Sequence, residues 1–152
     1  MTVTGTQPFF EDVPIGEEIP AREYGPLTIV DTVRWAGVQE NPERLHWDAE
    51  HARTHSGMRT FIASGAHRQA LLARTLTDWI GADGALRRMS VRHVAPTYDG
   101  DRMIFSGKVV EKSSDPADPW LVCEVEGRDQ EGTSILSGRC TVLLPAREPR
   151  RP

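Results

Sequence analysis

The stretch Glu40-Asn41-Pro42-Glu43-Arg44-Leu45-His46-Trp47-Asp48 crowds polar and titratable residues between two segments of helical pattern. His46 is the residue there best suited to move a proton, because imidazole is the side chain whose unperturbed pKa lies near neutral pH. Asn41 lies five residues upstream; it takes no proton but can orient a water or a substrate carbonyl. A loop histidine alone more often serves as a hydrogen-bonding spacer, so its company decides the reading. That company includes Ser64-Gly65-Ala66, where a Ser-Gly pair opens a long helical stretch. The first N–H groups of a helix have no intrahelical acceptor and lie at the positive end of its dipole. Gly65, flanked by Ser64 and Ala66, can therefore hold a developing oxyanion. A histidine beside such a helix start suits chemistry next to a thioester carbonyl.

These residues need elements to aim them. Thr28 to Gly37 carries Val30, Val33, Trp35 and Ala36 at helical spacing, with Thr28 or Asp31 as cap. Asn41-Pro42 stops that helix, since the residue before a proline is pushed out of the α region. Asp48 caps a second short helix, Ala49 to Thr54, with Glu50 in its first turn. His46 thus lies on a connector pinned at both ends. Ala66 to Ile80 is the strongest helix: Ala66, Ala70, Ala73, Leu76 and Ile80 form a stripe that Leu72 and Trp79 widen, with Arg68, Arg74 and Asp78 on other faces and Gly81 as the stop. His67 and Arg68 read as exposed or interface positions in its first turn.

The period then changes to two. Met89, Val91 and His93 alternate with Arg88, Ser90 and Arg92, a half-buried strand in which His93 reads as a satisfied core or interface histidine. Strands over Met103 to Lys112, with Gly107 as a bend or bulge, around Leu121 to Val125, and over Ser134 to Leu144 follow; Gln130-Glu131-Gly132 makes a hairpin turn. Ahead of everything stand an extended arm, Pro8 to Pro20, and a first strand, Ala21 to Tyr24. Helices first and strands after imply an α+β fold.

Four segments, in order, resemble the MaoC-like enoyl-CoA hydratase/dehydratase family, which has a hotdog fold. Trp35-Ala36-Gly37 and His46 with Asp48 match the two ends of the family's W-A-G-x-x-G-D-x-N-P-[LI]-H-x-D segment. Ile62-Ala63-Ser64-Gly65 through Ala70-Leu72 matches I-A-H-G-M-x-x-A-x-L, Phe10 to Glu18 resembles F-E-D-x-x-x-G-x-x, and Pro96 to Asp101 resembles the family's turn before a strand. The likeness runs from Phe10 to Leu144. The departures are pointed: the family's catalytic aspartate falls on Asn41, its N-P falls on Glu43-Arg44, and its H-G becomes Ser64-Gly65. The sequence E-N-x-x-R-L-H-W-D is closer to a divergent N-x-x-R-[IL]-H-[YW]-D branch that keeps the histidine and not the aspartate.

The resemblance implies one α+β hotdog domain over residues 1–152, with 1–8 and 146–152 as loose termini. In it a curved antiparallel sheet wraps a long central helix. The resemblance also implies a homodimer, or a heterodimer with a second hotdog subunit. The reaction implied is addition of water to a 2-enoyl thioester, or its removal from a 3-hydroxyacyl thioester. His46 would be the acid/base, Asn41 would hold the water, and Gly65 N–H, between Ser64 and Ala66, would hold the oxyanion. The substrate would be an acyl-CoA or acyl-carrier thioester, with no cofactor beyond the coenzyme A of the substrate itself.

Composition agrees with that frame. A chain of 152 residues, 38% hydrophobic and 26% charged, is long enough for one core. A formal net charge of -4 argues against a nucleic-acid partner. No apolar run is long enough to span a bilayer, and no secretory signal is visible. Cys123 and Cys140 fall in strand patterns and read as small core residues of a cytoplasmic protein. The histidines and cysteines show no metal-ligand spacing. Two other readings stand beside the hydratase. A hotdog thioesterase would want a carboxylate at the long helix, where Ser64-Gly65-Ala66-His67 has none. A non-catalytic subunit that completes a heteromeric hydratase would explain the absence of the aspartate at Asn41.

Overall fold

The computed structural model describes residues 7–115 and 117–147. In chain order it contains β1 (Glu18–Tyr24), α1 (Ile29–Val38), α2 (Ala49–Ser56), α3 (Gly65–Ile80), β2 (Ala85–His93), β3 (Met103–Lys112), β4 (Trp120–Arg128) and β5 (Ser134–Leu143). Single 3-10 turns lie at Phe10–Asp12 and Arg44–His46. All five strands join one antiparallel sheet in the order β1-β3-β4-β5-β2. α3 packs on β3 and on both edge strands, β1 and β2. One helix reaches both edges of such a sheet only where the sheet curves round it, which is the wrapped α+β arrangement expected. No helix among the described residues is long and apolar enough to cross a membrane.

The core fills the concave face. Leu72, Leu76 and Ile80 of α3 lie among Phe105, Val109, Leu121, Val125, Leu136 and Val142, all buried. The buried face of α3 is Arg68-Leu72-Thr75-Leu76-Ile80. Ala66, Ala70 and Ala73, expected at its centre, are half-buried. Leucine removes far more apolar area from water than alanine, so Leu72 and Leu76 set the rotation of the helix. Arg68, expected at an exposed or interface position, is carried inward with them and is 5% exposed. Its Nη1 donates to the carbonyl oxygens of Ala95, at 2.5 Å, and Ile135, at 3.4 Å.

The arm before β1 is not extended throughout. It makes a 3-10 turn over Phe10–Asp12, and Lys112 Nζ donates to the carbonyls of Phe10 and Val13. β1 begins at Glu18, earlier than expected, because Gly16, at φ 96°, turns the chain onto β3 through Gly16 N–H to Val109 O. Two residues in the stretches expected to be loose are tied down. Gln7 Nε2 donates to Ile80 O, and Arg147 pairs with Asp12. Residues 1–6 and 148–152 lie outside the described residues.

Cys123 and Cys140 face each other across β4 and β5, free and buried. Burial pushes their thiols up to about 12 and about 11, as inert core residues would show. Gly107 makes no bulge; the register shifts of β3 and β1 fall at Val109/Glu111 and Ile19/Arg22. Close approach explains the strand glycines instead. A Cβ on Gly107 would lie 2.7 Å from Glu124 O, and one on Gly138 would lie 2.2 Å from Ser90 O. Gly138→Ala is therefore expected to force β5 and β2 apart and to lower stability by about 1–3 kcal/mol. A urea midpoint equal to wild type would contradict this packing.

Candidate active site

α1 begins in a capping box: Thr28 N–H donates to the Asp31 carboxylate at 2.9 Å, and Asp31 N–H donates to Thr28 Oγ1 at 3.4 Å. It ends where Glu40 adopts φ 51° and Asn41 N–H closes on Ala36 O. Asn41 Oδ1 then accepts from Glu43 N–H at 3.0 Å, an Asx turn that carries the chain past Pro42. The Glu43 carboxylate caps the next turn through Leu45 N–H. Asp48 Oδ1 accepts from His51 N–H at 2.9 Å to cap α2, and its other oxygen binds the Arg44 guanidinium. The His51 N–H, and after it Arg44, hold the Asp48 carboxyl below its usual range. Every residue from Asn41 to Asp48 other than Pro42 is thus tied locally or to the residues before α3, and His46 has little freedom of aim. Glu40 and Glu43 are exposed.

His46 meets the segment leading into α3. Its Nδ1 lies 3.0 Å from Ile62 O. A carbonyl only accepts, so Nδ1 carries the hydrogen and the neutral ring presents a bare Nε2. Two residues on, Ser64 caps α3 by accepting His67 N–H at 3.1 Å. The N–H groups of Gly65 and Ala66 have no acceptor among the described residues. His93 lies over Gly65, where a Cβ would come 2.9 Å from the ring's Nε2 and the ring would have to shift.

Asn41, His46 and Ser64 come together around one narrow crevice, completed by Thr32, Trp35, Ala36 and His67, which is closed to a water-sized probe in this conformation. Gly65 and Ala66 follow directly on Ser64. A larger groove crosses the outer face of the sheet past Lys108, Glu124 and Arg139, remote from these groups.

Three residues gain importance that periodicity did not assign. His67, expected to be exposed or at an interface, is half-buried and stacked on Trp35, with ring centroids 5.0 Å apart and planes 13° from parallel. His67 Nδ1 and Trp35 Nε1 are both buried without a partner among the described residues. Burial pushes the His67 pKa down, against a smaller upward pull from Asp31. His93 is not the satisfied histidine expected: among the described residues its Nδ1 is buried without a partner, and its Nε2 has only the Gln69 amide, at 3.3 Å. Burial, and then the Arg68 charge, lower its pKa as well. The available signal for His67 was its place at the third helical residue after Ser64, where a capped backbone fixes the ring's origin.

The folded chain therefore favours neutral His67 and neutral His93. A lowered folded pKa gives stability that is present above the unfolded value, near 6.5, and lost as pH falls toward the folded values. Urea midpoints are expected to drop between pH 7.5 and pH 5, with a shallower drop in a His67→Phe/His93→Phe double variant. Equal slopes would contradict the burial of these rings.

Comparison with known proteins places the chain among relatives. A family model described as "MaoC like domain" matches residues 10–117. A mesaconyl-CoA hydratase from Haloarcula marismortui is 31% identical over 150 residues, covering 93% of this chain. The chain spans only 41% of that protein's length. Among solved structures, the R-hydratase PhaJ1 from Pseudomonas aeruginosa superposes with a TM-score of 0.80 at 19% identity, over 94% of this chain and 92% of that one. The ChsH1-ChsH2 complex from Mycobacterium tuberculosis superposes at 0.76 with 21% identity, over 86% of this chain and 98% of the matched chain. At these identities the structural likeness establishes the fold, which is the hotdog.

Proposed function

The chain belongs to the MaoC-like dehydratase family, and on that premise we propose that it adds water to a 2-enoyl thioester, or removes it from the 3-hydroxyacyl thioester. The observation that carries this reading is the pairing of His46 Nε2, left bare by the bond from Nδ1 to Ile62 O, with the open start of α3. As water adds to the β-carbon of an enoyl thioester, negative charge moves to the thioester oxygen. Gly65 N–H, with Ala66 N–H beside it, would hold that oxygen in a site already oriented for it. His46 Nε2 would take the proton from water, and in dehydration would give it to the leaving hydroxyl. Asn41, whose carbonyl already accepts from Glu43 N–H, would hold the water through what remains of its amide. The acyl group would be carried on coenzyme A or on an acyl-carrier protein, and the relative's printed substrate makes a CoA thioester the first to try. The first turn of α3 contains no carboxylate, which weighs against thioester hydrolysis.

A second reading is a subunit that works only beside another hotdog chain. Val30, Val33 and Val38 of α1 are 50%, 51% and 80% exposed, so the apolar stripe of this helix faces outward and is open to cover by a partner. A homodimer would cover it as well as a heterodimer.

Loss of enoyl-thioester absorbance by the purified chain, with short, medium and bulky 2-enoyl-CoA substrates, separates the readings. Turnover is expected, with His46→Ala lowering kcat about 10²–10⁴-fold and Asn41→Ala having a smaller effect. A well-folded chain with no turnover on any substrate would overturn the stand-alone hydratase and leave the partner-dependent subunit.

A further inference from the structure

We propose that the open edge of β2 binds an extended strand of a different protein chain, one that sets two carboxylates four residues apart against Arg88 and Arg92; the inference is independent of the reaction proposed above.

The sheet has two edges, and they are built differently. β1 holds Pro20 and a register shift between Ile19 and Arg22, devices that stop a further strand from adding. β2 pairs with β5 on one side, and among the described residues no strand pairs with its other side. Its register shift comes early, between Leu86 and Arg88, and from Arg88 to His93 it runs in step with β5 without a proline. Side chains alternate along that run. Met89 and Val91 pack on the core from the inner face yet stay half-buried, and Val94, just past the strand, is 54% exposed. Arg88, Ser90 and Arg92 are exposed on the outer face.

The outer row sets the charge of what fits. Across β5 from Arg88 and Arg92 stand Thr141 and Ser137, which carry no charge. Neither arginine has an ion-pair partner among the described residues. Other arginines of the sheet do: Arg139 meets Glu111 and Glu124, and Arg128 meets Glu126. The formal net charge of the chain is -4, so two unmatched arginines on one edge are no by-product of a basic protein. Charge alone can keep an edge empty. Here an uninterrupted ladder, with half-buried Met89 and Val91 behind it, leaves backbone groups and apolar area for a strand to cover.

A second copy of this chain fits poorly. Antiparallel self-pairing keeps the two inner faces together only with the two-fold axis at a residue position. At Arg88, Ser90 or Arg92, that axis sets arginines of the two copies directly opposite one another. At Met89 or Val91 they stand diagonally, about 7–8 Å apart and within reach of long side chains. Like charges so placed repel. Aspartate or glutamate at the two facing positions of an incoming strand turns each repulsion into a cross-strand ion pair, while its amides and carbonyls extend the ladder.

The probe is the chain itself with these charges reversed. Wild type, Arg88→Glu/Arg92→Glu and their equimolar mixture are compared by sedimentation velocity at matched concentration and low salt, with one component fluorescently labelled to report mixed association. Mixed association is expected to be at least about tenfold tighter than either homologous one, because two opposite-charge pairs replace two repulsions. The preference should fade at high salt. Contacts through any other surface are common to all samples and cancel in the comparison. Both arginines are exposed, so the fold should survive reversal. Arg88→Gln/Arg92→Gln, which removes the repulsion and adds no charge, is expected to self-associate more tightly than wild type, and it decides the matter should the glutamate variant misfold. Mixed association no tighter than that of wild type with itself would overturn the proposal, and so would a glutamine variant that self-associates no better than wild type.

Discussion

One hydrogen bond joins the two halves of the candidate site: His46 Nδ1 to Ile62 O, 3.0 Å. It sets the tautomer, and so decides which ring nitrogen is free. It also ties the 3-10 turn Arg44–His46 to the residues that lead into α3, alongside the backbone bond from Ile62 N–H to Leu45 O. Without it, the histidine and the helix start would be two features on separate elements. With it, His46 and Ser64, the cap of α3, line a common crevice.

The electrostatics of that region are one-sided. Arg68 is buried with its guanidinium on two carbonyls and no ion-pair partner among the described residues, and burial lowers its pKa without removing a charge that guanidinium keeps at neutral pH. His67 and His93 are held toward neutrality, and the carboxylates of Asp31 and Asp48 are occupied by a helix cap and by a cap with an ion pair. A buried cation and an open helix N-terminus favour a transition state that gathers negative charge on oxygen. They do nothing comparable for a site that needs a carboxylate base.

Much of the scaffold was legible in the sequence because local chemistry encodes it. Thr28, Asp48 and Ser64 each cap the helix expected of them, Gly81 stops α3 at φ 76°, and β3 spans the residues expected of it. The Ser-Gly opening of α3 and the pinned connector at His46 were likewise readable from residue type and spacing. What escaped depends on contacts between distant segments. The rotation of α3, and with it the burial of Arg68, follows from which side chains the sheet accepts, and a stripe of alanines does not reveal that. The Trp35–His67 stack and the placing of His93 over Gly65 join residues 32 and 28 positions apart in the chain. No local period carries such pairings, although both bear directly on the site.

The most direct measurement is the protonation of His46 itself, by ¹⁵N-resolved NMR of the imidazole side chains in the free protein at a pH where the ring is neutral. The structure requires hydrogen on Nδ1 and a bare Nε2, so the Nδ1 signal should be that of a protonated nitrogen and should lose its hydrogen-bonded character when the connector is loosened by Asp48→Ala. A ring protonated on Nε2, or one exchanging freely between tautomers, would contradict the account, because the nitrogen assigned to the water would then be occupied or unaimed.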